Sequence, residues 1–206
     1  MSKLEEYIEK YRKIHTAEDF YKRSAPVKLD KAYVIKGKQN SMSGWQGWSK
    51  FRGDILRVSE KLGRPISILD YGCGQPLATY RHFFTHPMNI RSWCSYDPAL
   101  PGFDVRPTGQ YDFVICADVV EHIPEEALNF VLDDIRSFVS DSGFLGVSTC
   151  GEPSYQSFSD GENFHCTLKT SNEWKNILRP RFENLIFVYT RQENGVRRQT
   201  KFTYGL

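Results

Sequence analysis

Three acidic stretches and one late histidine hold the residue types from which chemistry could be built. In Ile66-Ser-Ile-Leu-Asp70-Tyr-Gly72-Cys-Gly74-Gln-Pro, a short apolar strand runs into two glycines behind a carboxylate. Glycines there let backbone approach a ligand closely, at the carboxyl edge where open α/β sheets bind. A dinucleotide fingerprint would set glycines and a helix N-terminus around a pyrophosphate. Asp70 stands two residues before the first glycine, where it repels phosphate, and the third fingerprint glycine falls on Leu77. No Lys-Ser/Thr pair follows, which excludes a phosphate-cradling NTPase loop. The pattern favours a ligand with positive charge and no phosphate.

Asp97 lies 23 residues after Gly74, close to the offset of about 20 at which an acid reaches ribose hydroxyls in nucleotide-binding α/β folds. Its side chain is expected to project into the cleft with no buried protein partner. A third acidic stretch, Asp118-Val-Val-Glu121-His122, follows Tyr111-Asp-Phe-Val-Ile-Cys-Ala117. Glu121 and His122 read either as acid–base groups or as capping and packing residues. His165 lies on the long segment that starts at Cys150, and it either touches a substrate or is structural. His82 and His86, four apart, are half a metal site at most; with no third ligand in view, no metal is expected. His15 reads as structural or solvent-exposed.

These residues need strands to hold them. Apolar runs at Ile66–Asp70, Arg91–Tyr96, Tyr111–Ala117 and Phe144–Ser148 read as strands. Helical periodicity marks 48–62 (Trp48, Phe51, Ile55, Val58, Leu62), Leu77–Phe84, Pro124–Val139 and Ser171–Leu178. Alternating strands and helices predict a parallel sheet covered on both faces. Leu185–Thr190 and Arg197–Tyr204, parted by a segment with Asn194-Gly195, predict a closing antiparallel hairpin. Ahead of the sheet, Leu4, Tyr7, Ile8, Tyr11 and Ile14 mark one amphipathic helix; a second is expected over 17–23 and a loop over Gly37–Gly47. The whole reads as an α/β, Rossmann-like, doubly wound and mostly parallel sheet ending in an antiparallel hairpin. A helical N-terminal lid (1–47) would precede a domain of residues 48–206.

In this order and spacing the sequence resembles the class I S-adenosylmethionine-dependent methyltransferases, over about residues 64–205. Ile-Leu-Asp70-Tyr-Gly72-Cys-Gly74 is similar to the first motif of that family, and Tyr96-Asp97-Pro98 to its ribose-binding second motif. Tyr111–Ala117 with Asp118-Val-Val-Glu121-His122-Ile resembles the strand-four motif of its small-molecule branch. The resemblance implies S-adenosylmethionine as cofactor, held by Asp70, Gly72, Gly74, Asp97, Pro98, Ala117 and Asp118, with Asp104 or Val105 facing adenine. It implies methyl transfer to an oxygen or nitrogen of a small molecule, with Glu121, His122 and His165 as catalytic candidates. Alternatives are a nucleic-acid methyltransferase and a non-catalytic cofactor-binding module. Two features depart from the family: Gln75-Pro76 replaces its third glycine, and too few residues separate Asp97 from Asp112 for its usual helix and strand. That stretch reads as a loop with a vestigial strand.

Composition sets the outer bounds. The 206 residues, 40% hydrophobic and 14% aromatic, exclude a disordered chain, a collagen-like repeat and a coiled coil. No apolar run approaches the ~20 residues of a membrane span. The N-terminus lacks the apolar stretch of a secretory signal, and five cysteines without a Cys-x-x-Cys pair read as reduced thiols of a cytoplasmic protein. Net charge is +2, but residues 1–64 carry 15 basic against 8 acidic side chains and residues 65–178 carry 6 against 15. This reads either as an unevenly charged solvated surface or as a basic lid that meets an anionic substrate. Asn-Pro-Pro-Tyr, Asp-Pro-Pro-Tyr and Pro-Cys motifs are absent, so nucleic acid is not the favoured partner.

Overall fold

A computed structural model describes residues 1–16, 26–29, 32–35, 48–74, 89–148, 158–193 and 196–205. In chain order it contains α1 (Lys3–Thr16), β1 (Pro26–Leu29), β2 (Ala32–Ile35), α2 (Trp48–Leu62), β3 (Ile66–Tyr71), β4 (Ile90–Tyr96) and β5 (Tyr111–Ala117). A 3₁₀ turn (Val120–His122), α3 (Glu125–Ser137), β6 (Val139–Ser148), α4 (Ser171–Leu178), β7 (Ile186–Glu193) and β8 (Val196–Tyr204) follow. The expected elements at 17–23, Gly37–Gly47 and Leu77–Phe84 lie outside the described residues, as do Trp45, Gln75-Pro76, His82, His86, Cys150 and Asn194-Gly195.

Six strands form the main sheet in the order β4-β3-β5-β6-β8-β7. β3 pairs in parallel with β4 and β5, and β5 with β6. β8 runs antiparallel to both β6 and β7, which is the reversed closing hairpin expected. Strand periodicity divides the core into two layers. Phe113 and Ile115 of β5 pack with Ile55 and Val58 of α2, whereas Val114 and Cys116 pack with Leu128, Val131, Leu132 and Ile135 of α3 and Trp174 of α4. Among the described residues, α3 buries Leu128, Val131, Leu132 and Ile135 of its expected stripe, and α2 buries Ile55 and Val58. α4 begins with a capping box, in which Thr170 and Glu173 satisfy each other's backbone N–H groups.

Three expectations need correction. The N-terminal segment is not wholly helical: β1 and β2 form an antiparallel hairpin, with Pro26 opposite Ile35. Val139 belongs to β6, because it pairs with Tyr111; α3 stops at Ser137 and Pro124 is its N-cap rather than its first helical residue. The vestigial strand between Asp97 and Asp112 is absent, so β4 is an edge of the sheet. Polar contacts hold that loop in place of a strand. Arg106 donates to Asp134 of α3 at 2.7 and 2.9 Å and lies over the Phe138 ring, and Tyr71 donates to the other oxygen of Asp134.

At the amino-terminal end of the parallel strands, Asp112 clamps β3 to β5. It accepts two bonds from Arg64 at 2.7 and 2.8 Å and two from Ser67, through backbone N–H and hydroxyl. Arg64 holds the Asp112 carboxyl well below the usual carboxylate range, and Asp112 is buried. Asp112→Ala orphans the Ser67 N–H and unpairs the guanidinium, a loss of about 2–4 kcal/mol. For a domain this size that lowers the melting temperature by roughly 5–15 °C. A depressed carboxylate pKa stabilises above the unfolded value and fades as pH falls. Thermal melts should therefore show a wide gap between parent and variant at pH 7 and a narrower one at pH 3.

Candidate active site

The first two acidic stretches meet at the carboxyl ends of β3 and β4. Gly72 adopts φ +71°, and a Cβ there would stand 2.3 Å from the Val119 side chain, so only glycine fits. The N–H groups of Gly72 and Cys73 both donate to the Tyr96 carbonyl, at 2.8 and 3.1 Å. Asp97 completes the tie: one oxygen accepts from the Gly74 N–H at 3.0 Å and the other from the Ala99 N–H at 2.9 Å. The expectation of an unpartnered side chain was therefore wrong. In the shortened crossover, the Asp97 carboxylate is the local acceptor that holds both loops. Asp70 is buried beside this knot, and burial, reinforced by Asp97, pushes its carboxyl up to about 7.

Neighbouring candidates are spread along the same rim. The Pro98 carbonyl accepts from Arg12 at 3.0 Å, and Arg12 also faces Asp104 at 3.5 Å. Val105 stands at the surface, 83% exposed. Ala117 ends β5 and packs on the inner layer beneath it. Asp118 turns the chain with φ +56° while its N–H donates to Gly146 of β6 at 2.8 Å. A positive φ on a non-glycine residue at a strand end stores local strain, which is common where a turn must present groups to a ligand.

Beyond that turn the structure brings together Glu121, His122 and His165. Their ligating atoms all lie within 4.8 Å of one another, although His165 is 43 residues further along the chain. Four contacts fasten the two segments. The Thr167 N–H donates to the Glu121 carbonyl at 3.1 Å and its hydroxyl to Ile123 at 2.6 Å. The Cys166 thiol reaches the Glu121 carbonyl, and His122 Nδ1 lies 3.0 Å from the Phe164 carbonyl. Because that carbonyl can only accept, Nδ1 carries the proton, and the lone pair is on Nε2. Burial, reinforced by His165, pushes His122 down to about 3, so the ring stays neutral. His165 is also lowered by burial, with Asp118 opposing the shift.

The sequence pointed to these three residues but not to what positions them. Tyr11 of α1 places its hydroxyl 2.8 Å from His122 Nδ1 and 3.1 Å from the Phe164 carbonyl. Tyr7 and Tyr11 pack with Phe158, Phe164 and Ala99, so the N-terminal aromatics fill a small core of their own. Helical spacing found both tyrosines, but nothing in it ties Tyr11 to a histidine 111 residues away. The basic charge of α1 is also used internally. Lys10 reaches Asp160 and Glu162 at 2.7 and 2.6 Å. His15, one candidate for an exposed residue, is buried and lowered by that burial.

Replacing Asp97 tests the knot without any ligand. Asp97→Ala leaves two N–H groups without their acceptor, at about 1–3 kcal/mol for each that water fails to reach. The ligand-free melting temperature should fall by at least several degrees; an unchanged value would mean that the carboxylate does not hold the loops.

Comparison with known proteins agrees with this architecture. Residues 46–193 match a protein family described as a methyltransferase domain. No curated protein matches the chain. Among solved structures, a Burkholderia thailandensis 1,6-didemethyltoxoflavin-N1-methyltransferase with S-adenosylhomocysteine is 15% identical, with a TM-score of 0.56 over 99% of this chain and 90% of that one. The magnesium protoporphyrin IX methyltransferase of Synechocystis PCC 6803, with S-adenosylmethionine bound, is 13% identical, with a TM-score of 0.52 over 99% and 98% of the chains. The N-terminal domain of EvdMO1, solved with S-adenosylhomocysteine and D-fucose, is 11% identical, with a TM-score of 0.51 over 100% and 97%. At such identities the likeness is one of fold, and it is the match over 46–193 that decides the family: the chain belongs to the class I S-adenosylmethionine-dependent methyltransferases.

Proposed function

We propose that this methyltransferase acts on an oxygen or nitrogen atom of a small molecule, and that Glu121, His122 and His165 are the catalytic residues at the acceptor. The observation that carries the reading is their convergence at the carboxyl end of β5, past the rim that carries Asp70 and Asp97. The residues present fit the cofactor. Asp70 is a buried acid that a cationic ligand would relieve, Gly72 leaves no room for a side chain, and Asp97 offers carboxylate oxygens to ribose hydroxyls. Pro98, Asp104 and Val105 border the adenine side, with Gly74, Ala117 and Asp118 completing the rim. When bound, S-adenosylmethionine supplies an electrophilic methyl group on a sulfonium.

The protein's part is orientation, exclusion of water and management of one proton. α1 covers the site from the N-terminal side, and residues 1–47 act as a lid on the domain of residues 48–206. Arg12 and Lys10 fasten that lid to the loops at 98–104 and 158–162. A small-molecule acceptor suits a site closed in this way, and two structural relatives are by name methyltransferases of 1,6-didemethyltoxoflavin and of magnesium protoporphyrin IX. Among the described residues no helix is long and apolar enough to cross a membrane. The four described cysteines are free thiols, which suits a reducing cytoplasm.

Two measurements test the reading. S-adenosylhomocysteine release should be detectable with a panel of phenols, amines and nitrogen heterocycles. With the acceptor so found, Glu121→Gln and His165→Ala should each lower turnover about 10²-fold or more, with cofactor affinity within a few-fold of the parent. Loss of cofactor affinity in place of turnover would remove both from the acceptor side. Asp70 gives a second test. With its pKa at about 7, roughly half of it is protonated in the free protein at pH 7, and a cationic ligand favours the ionised form. Calorimetry in buffers of different ionisation enthalpy should show up to about half a proton released per S-adenosylmethionine bound at pH 7 and almost none at pH 9. Buffer-independent heats would contradict the assignment.

A further inference from the structure

The three catalytic candidates form a donor set that no linear spacing announces. Glu121 offers a carboxylate that is 1% exposed, and His122 and His165 offer imidazoles whose rings stand edge to face with centroids 4.8 Å apart. The ligating atoms of all three residues lie within 4.8 Å of one another. His122 is oriented as ligating histidines usually are: its Nδ1–H is held by a backbone carbonyl, Phe164, with the Tyr11 hydroxyl beside it. In the tautomer with the proton on Nδ1, the Nε2 lone pair is available to a metal. His165 Nδ1 is buried and has no hydrogen-bond partner among the described residues. A buried nitrogen of this kind calls for an occupant.

We propose that Glu121, His122 and His165 bind one divalent first-row metal ion, with the methyl acceptor's heteroatom at a remaining coordination position. One carboxylate and two imidazoles suit Zn²⁺, Mn²⁺ or Fe²⁺ and would be a poor site for Ca²⁺ or Mg²⁺. Ligand bonds of about 2.0–2.1 Å in a tetrahedral arrangement set donor atoms roughly 3.4 Å apart. The present 4.8 Å envelope therefore closes by roughly 1.4 Å, within the reach of side-chain rotation for His165 on its loop. Three protein ligands leave at least one position open, the pattern of a working centre rather than a structural one. The expectation of no metal rested on an incomplete set in the linear sequence; the fold completes the set across 43 residues. The ion's role toward the acceptor rests on the small-molecule reading above, but its binding does not.

The test uses the full chain after chelator treatment and dialysis, with Zn²⁺ and Mn²⁺ titrated separately by calorimetry and S-adenosylhomocysteine titrated alongside. One saturable equivalent of at least one ion is expected, with a rise in melting temperature. Glu121→Gln and His165→Ala should each weaken binding at least tenfold, and Tyr11→Phe by less, since Phe164 still holds Nδ1. His165→Asn, closer in shape, serves if the alanine variant does not fold. Absence of saturable binding, or one equivalent bound equally well by the parent and the folded variants, would overturn the site. Binding of S-adenosylhomocysteine with no saturable binding of either ion would discard the metal site and keep the methyltransferase reading. Metal binding that depends on these residues without S-adenosylhomocysteine binding would support the site and count against the acceptor role.

Discussion

Two carboxylates buried close enough to act on one another, Asp70 and Asp97, set the terms for the rest of this structure. A buried polar group of this kind needs compensation. Asp97 finds it in two backbone N–H groups, and in doing so it becomes the fastening between the loop after β3 and the loop after β4. Asp70 finds it by holding its proton to about pH 7. On the function proposed above, a cation with ribose hydroxyls is the complement of these two acids. Gly72 belongs to the same constraint, because a side chain there would strike Val119 and push the two turns apart.

The N-terminal helix is the second half of the design. Its lysines and Arg12 engage acidic and carbonyl groups of the body, while Tyr7 and Tyr11 bury against Phe158 and Phe164. A small part of the basic charge of the N-terminal third therefore has an intramolecular use, with Lys10 and Arg12 facing Asp160, Glu162 and Asp104. Exposed ion pairs contribute little individually; the aromatic packing gives the docking its affinity, and the charges give it register. Through the Tyr11 hydroxyl the same helix reaches the ring of His122, so the docking of α1 also orients a residue of the proposed site.

Much of the sheet was legible because it follows simple periodicities. Tyr111–Ala117 alternates between two faces and is a strand over those same residues. The stripe Leu128, Val131, Leu132 and Ile135 is buried as read, and the reversed last strand follows from a hairpin signal. What was not legible depends on distant partners. Val139 has helical spacing, but its pairing with Tyr111 takes it into β6. The hairpin at 26–35 has no strong turn signal and sits in a segment whose polar character reads as helix and loop. Asp97 was recognisable by its position after Gly74, yet its protein partners depend on a loop shortened by the missing strand. The His165 pairing with Glu121 and His122 depends on Thr167 and Phe164 contacts that no local pattern encodes.

The central claim is that one pocket, rimmed by Asp70 and Asp97 and closed by Glu121, His122 and His165, holds the methyl donor and presents it to a small acceptor. A crystal structure of the full chain with S-adenosylhomocysteine tests this most directly. The account predicts ribose hydroxyls on the Asp97 carboxylate, the amino group on the Asp70 side, and the sulfur turned toward Glu121, His122 and His165. Homocysteine sulfur directed away from that cluster, or adenosine bound elsewhere than at Asp97, would contradict it.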